Sequence, residues 1–126
     1  MKYLFIAFGG GIGALFRYLS SEFIKKILDT PFPAGTFTVN AAGSLLIGFL
    51  FTVFETFSLP EEYRLFAITG FLGGYTTFSS YSLETAQHLL NGNAKLALAN
   101  ILLSNLVCIA FAIAGMKLAR TLIPAP

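Results

Sequence analysis

An all-α membrane protein of four transmembrane helices, the third one broken, is the fold class this sequence predicts. Three observations carry the prediction. Hydrophobic residues make up 56% of the 126 residues and charged residues 11%, against about 25% charged in an ordinary soluble domain. Between the charges lie apolar runs of roughly 20 residues, long enough to cross about 30 Å of hydrocarbon. Within one of those runs, "TGFLGGYTTFSSYS" (Thr69 to Ser82) packs three glycines and eight hydroxyl side chains into fourteen residues. Helix-weakening, polar sequence in that setting needs a structural reason.

The elements follow from the punctuation. A first crossing is expected over residues 3–27, ended by "DTPFPAG", whose two prolines break helices. The second spans residues 35–56. "FSLPEE" then makes a turn and opens a third crossing over residues 62–90. Gly70, Gly73 and Gly74 weaken its continuity, and Thr76 and Thr77 compete with the backbone for hydrogen bonds, so a break is expected near 73–77. "NGN" is a tight turn before the fourth crossing at 94–122, and "PAP" stops it. The whole of 1–126 reads as one transmembrane domain. The opening "MKYLFIAFGGGIGALFRYLSS" has a lysine and an apolar run, but Leu15, Phe16 and Arg17 follow its small residues. That pattern predicts a retained helix rather than a cleaved leader.

Charge excludes several classes. A net charge of +2 with no basic run beyond Lys25–Lys26 gives no electrostatic footprint for nucleic acid. Four crossings put both ends of the chain on one side with Lys2, Arg64, Lys117 and Arg120, and leave Lys25, Lys26 and Lys95 on the other. Four against three is almost no instruction for orientation. One outcome is insertion both ways and pairing as an antiparallel dimer; the other is that the small bias still decides. Cys108 has no second cysteine to pair with and reads as a packing residue. His88 is the only histidine and has no partnered nucleophile in sequence, so the chain does not read as an enzyme.

Polar groups in hydrocarbon must find partners or water. Thr36, Asn40 and Ser44 are spaced by four and share a helix face, drifting about 40° per step. Asn100, Ser104 and Cys108 do the same in the fourth helix. Asn40 is either glue between helices or the lining of a polar path. Arg17, a permanent cation, can snorkel, pair with Glu22 or Glu84, or stand at the mouth of an anion path. Gly9 and Gly13 form a GxxxG pair, and Ala41, Ala42, Gly43 and Ser44 cluster; such small residues bring helices close, within one bundle or between subunits. Carbonyls freed at the break suit a hard cation, or else buried water. Phe78 and Tyr81, three apart, share a face. Such a pair is ordinarily just packing; beside the broken helix, its positive ring edges with hydroxyls from Ser79, Ser80 and Ser82 could instead face an anion without a permanent countercharge.

"GGGIGALFRY", "GTFTVNAAGSLLIG" and "GFLGGYTTFSSYS" resemble, in order, the motifs of the CrcB/Fluc fluoride-channel family, and the resemblance covers essentially the whole chain. It implies an antiparallel dual-topology homodimer in the inner (plasma) membrane of a prokaryote, with two pores that pass fluoride ion down its gradient and protect the cell from fluoride. It implies a structural sodium ion (Na+) at the dimer centre, held by backbone carbonyls of Gly73 and Thr76. The family's pore phenylalanines fall on Phe78 and Tyr81 and its pore asparagine on Asn40. Its motif arginine falls on Arg17, its hydroxyl track on Ser79 and Ser80, and its fourth-helix track on Ser104 and Cys108. Three positions depart from the pattern. "TTFSSY" replaces the common "TTFSTF", so Tyr81 adds a hydroxyl able to donate to the ion or block it. Cys108 stands for a serine, and a thiol is a poorer donor. Asn100 stands where a tyrosine is frequent.

Two other classes share the size. A small proton-coupled multidrug exporter of the four-helix antiparallel-dimer type needs a carboxylate deep in the membrane, and the first helix offers only Glu22 near its end. A membrane-assembly subunit accounts for the glycines but not for the polar stripes.

Overall fold

The computed structural model describes residues 1–123; the expected stop at "PAP" lies outside the described residues. Helix α1 spans Lys2–Ile27 and α2 spans Ala34–Phe57. The third crossing is composite. It begins with α3 (Glu61–Arg64), widens into a π-helical stretch over Leu65–Leu72, and tightens again in α4 (Gly73–Tyr75). After two extended residues it resumes as α5 (Phe78–Leu90). Helix α6 covers Ala94–Leu122. Three helices, α1, α2 and α6, are long and apolar enough to cross a membrane by themselves. At 1.5 Å per residue the shortest of them measures about 36 Å.

The break is narrower than its glycines suggest. Gly73 keeps helical angles (φ −62°, ψ −35°), and the chain leaves the helix at Thr76 (φ −81°, ψ 156°) and Thr77 (φ −149°, ψ 116°). β-Branched threonines suit extended backbone. Thr77 then caps α5, its hydroxyl accepting from the Ser80 amide at 3.1 Å. The π-helical stretch before the break, with its i→i+5 bonding, has no counterpart in the sequence reading. At the far end, Gly92 (φ 78°) closes α5. The Asn93 amide bonds the His88 carbonyl and the Gly92 amide bonds the Leu89 carbonyl, a Schellman closure that exploits the left-handed glycine.

Two glycines of the third crossing, Gly70 and Gly74, serve packing against α1. A Cβ at Gly13 would overlap the Phe71 carbonyl, and one at Gly74 the Gly10 carbonyl. One at Gly70 would come within 2.9 Å of the Ile6 carbonyl. Thus α1 and the first half of the third crossing run backbone to backbone, and the Gly9/Gly13 pair faces its own bundle. A second rail joins α2 to α6, where Gly48 abuts the Ala112 carbonyl and Gly115 the Leu45 carbonyl. In lipid, where apolar burial between helices contributes little, close approach of this kind holds helices together. The break lets the chain change neighbours: its first half packs on α1, and α5 packs on α6.

Burial is inverted relative to a soluble domain. Among the described residues, Thr36, Thr52, Thr77, Thr85, Asn100 and Ser104 are buried, as many polar side chains as apolar ones. Large apolar residues such as Leu4, Phe8, Leu102 and Leu106 face outward, where hydrocarbon solvates them. Two of the buried hydroxyls return to their own helix backbone, Thr52 to the Gly48 carbonyl at 3.1 Å and Thr85 to the Tyr81 carbonyl at 2.8 Å. Exposed ion pairs mark the ends. Lys2 pairs with Glu61 and Arg64 with Glu55 at one end, and Lys25 with Glu22 at 3.1 Å near the other. Solvent screens such exposed pairs, and they add little to stability.

The rails give a test. Gly48→Val must force α2 from α6 and is expected to cost roughly 3 kcal/mol or more, read as aggregation in detergent at lower temperature. Gly11→Val, whose added carbon meets nothing within 4 Å, is expected to leave that temperature unchanged.

Candidate functional site

The site is built around the two residues that interrupt the third crossing. In an unbroken helix the Thr77 amide would donate to the Gly73 carbonyl. Here it donates to Asn40 Oδ1 at 2.7 Å, while Asn40 Nδ2 donates to the Thr77 carbonyl at 3.0 Å. One side chain on α2 therefore clamps both backbone groups of Thr77. Asn40 acts as glue between helices, and the second N–H of its amide is left over. Gly73, at the outer surface, loses the amide partner that helix continuity would supply. Leu72's carbonyl accepts twice, from the Thr76 amide at 3.0 Å and the Thr76 hydroxyl at 2.9 Å.

Two helix ends meet head to tail at this point. The π-helical stretch and α4 present carbonyls, and α5 presents the amides of its first turn. The first end favours cations and the second anions. Arg17 approaches from α1, its Nη1 at 3.5 Å from the Thr76 carbonyl. Glu22 pairs with Lys25, and Glu84 accepts from the Thr36 hydroxyl at 2.7 Å, so neither carboxylate is Arg17's partner. The guanidinium sits behind the break and does not line the groove beside it.

That groove, of about 430 Å³, runs between α2, the break and α6. Asn40 and Ser44 line it from α2, Phe78 and Tyr81 from α5, and Ser104 and Cys108 from α6. Gly73 and Thr76 form part of its wall. Phe78 is 77% exposed, and its ring lies 5.3 Å from that of Tyr81 at a tilt of 47°. Ser79 and Ser80 stand on the first turn of α5, outside the groove. Ser79 is exposed, and Ser80 faces the Thr77 hydroxyl at 3.2 Å. The groove thus brings together five of the eight pathway residues proposed from sequence, Asn40, Phe78, Tyr81, Ser104 and Cys108, with Arg17, Ser79 and Ser80 set apart.

Behind the groove runs a hydrogen-bonded chain. Ser104 Oγ donates to Asn100 Oδ1 at 3.0 Å, Asn100 Nδ2 to Thr85 Oγ1 at 2.9 Å, and Thr85 to the Tyr81 carbonyl. Asn100 is almost fully buried, and its amide ties α6 to α5. Ser104's only proton points at Asn100, so the hydroxyl must rotate before it can donate into the groove. Sequence reasoning missed Thr85, Asn105 and the clamp on Thr77. Thr77 is a favoured N-cap residue type and readable as such in sequence; Asn105 lies 24 residues from its partner Tyr81 and gives no such signal.

Residues 4–116 match the family model described as CrcB-like protein, Camphor Resistance (CrcB). The protein named fluoride-specific ion channel FluC of Hydrogenobaculum sp. is 45% identical over 91% of this chain and 94% of its own length. The protein of the same name from Sulfurihydrogenibium sp. is 43% identical over 96% and 98%. That of Clostridium perfringens is 44% identical over 94% of both chains. Agreement running from the first turn of α1 deep into α6, across the break and both glycine rails, places this multi-pass membrane protein in the CrcB-like family.

Proposed function

We propose that this chain is a fluoride-selective channel of the plasma membrane that lets the ion leave passively, two pores per antiparallel homodimer. The observation that carries the reading is the groove at the break, in which a ring pair, a leftover amide N–H and hydroxyl-bearing side chains meet in a chain whose relatives bear the name of fluoride channels. Fluoride holds its water tightly. A path for it must replace that water with donors, exclude the larger halides, and bind weakly enough to release. Asn40 and the α5 amides are donors held in place by the fold. Phe78 and Tyr81 contribute ring edges. Ser79, Ser80, Ser104 and Cys108 extend the track on either side, with Cys108 the weakest donor. Arg17 contributes a fixed positive charge from behind the break. The proton-coupled exporter is not favoured: the first helix's carboxylate, Glu22, is held by Lys25 at the helix end.

Two features support the dimer. Phe78 is 77% exposed and projects from its own bundle, and the groove is open on that side. The donor set at the break also fits a hard monovalent cation. Gly73 and Thr76 offer neutral carbonyls, and no cluster of three His, Cys, Asp or Glu side chains exists among the described residues to hold a different metal. Two carbonyls fall short of the roughly six oxygens a hard cation takes, so a second copy would have to supply its own pair. Arg17, already near the Thr76 carbonyl, leaves Gly73 the less encumbered ligand. A bound sodium ion would supply positive charge that ties two breaks together.

Purified protein in liposomes is expected to release loaded fluoride rapidly and chloride not at all; equal release of both would end the reading. Phe78→Ile is expected to lower fluoride flux more than about tenfold with the dimer intact by size-exclusion chromatography. Replacing sodium by potassium in every buffer, with prolonged exchange, is expected to weaken dimer assembly or flux, and indifference to the cation would remove the ion from the account.

A further inference from the structure

On the channel reading above, we propose that Asn105 is a positioning residue that turns the Tyr81 hydroxyl into an anion donor. Asn105 and Tyr81 both line the groove, from α6 and α5. Asn105 Nδ2 lies 2.7 Å from the Ile101 carbonyl and 3.2 Å from Tyr81 Oη. A carbonyl only accepts, so the atom facing Ile101 must be the amide nitrogen and its orientation is fixed. One N–H goes to Ile101 and the other to the phenol. The Tyr81 oxygen is therefore an acceptor in this pair, and its own proton is not used there. Accepting a hydrogen bond also polarises the phenol and strengthens its donation to a further partner. The partner chemistry this suits is a small, hard, poorly polarisable anion. A tyrosine whose proton were taken by a neighbouring carbonyl would present only lone pairs and obstruct such an ion. Asn105 thus decides whether the hydroxyl that Tyr81 adds to the ring pair assists or blocks.

The test is a double-mutant cycle on full-length protein in liposomes, comparing wild type, Tyr81→Phe, Asn105→Leu and the double variant for fluoride and chloride release. Each single variant is expected to lower fluoride release about fivefold, the effect of one hydrogen bond near 1 kcal/mol, without a chloride leak. The double variant is expected to match Tyr81→Phe, because Asn105 acts through the hydroxyl. Multiplying losses in the double variant, or unchanged or faster release from Tyr81→Phe, overturns the proposal. Asn105→Ala provides the same comparison if the leucine variant fails to assemble. Wild type that releases no fluoride would instead overturn the channel reading, and that outcome is distinct from uncoupled variants in a working channel.

Discussion

The clamp of Asn40 on Thr77 is the constraint on which the rest of the structure depends. A transmembrane helix cannot simply stop in hydrocarbon, because each freed amide and carbonyl costs several kcal/mol when unpartnered. A carboxamide presents an acceptor and a donor side by side, the complement of one residue's backbone. At 2.7 and 3.0 Å, it replaces bonds that the helix gives up. Asn40 therefore permits the break, and the break produces everything chemically distinctive about this chain. Thr77 completes the repair from the other side by capping α5 with its own hydroxyl.

Once the third crossing is interrupted, its two halves can serve different neighbours. The half before the break is locked to α1 through glycine contacts that leave no room for a β-carbon. The half after it joins α6, where Asn100, Thr85 and Ser104 make a polar seam. The groove is the space where these two attachments diverge. Small residues give the helices closeness, and buried polar residues give them register. Large apolar residues are sent outward to the lipid. In a soluble protein the same distribution would be unstable; in a bilayer it is the economical arrangement, since alkyl chains already solvate leucine and phenylalanine.

A broken helix also separates charge without using a charged residue. Carbonyls gather at one lip of the break and amides at the other. Under the proposed function, the first lip serves a structural cation and the second the permeating anion. The neutral lining matters for transport: a permanent countercharge in the narrow section would hold fluoride too tightly to release it. Arg17 lies close enough to bias the region and is set back from the groove.

Much of this was legible in one dimension. Length and apolar composition set the number of crossings, because hydrocarbon thickness is a fixed ruler. Prolines and the Asn91–Asn93 turn marked the ends, since their backbone chemistry is local. The resemblance of three motifs pointed to the family. The glycines misled in part: they signalled flexibility, yet Gly70 and Gly74 serve close packing and Gly73 stays helical, because a missing side chain looks the same in sequence whether it frees the chain or admits a neighbour. What only the tertiary structure decided was pairing at a distance. Asn40 meets Thr77, Asn105 meets Tyr81, and Arg17 meets Thr76 across 37, 24 and 59 residues. Hydrogen-bond direction depends on where helices cross and how they are rotated, and no local pattern of residues encodes that.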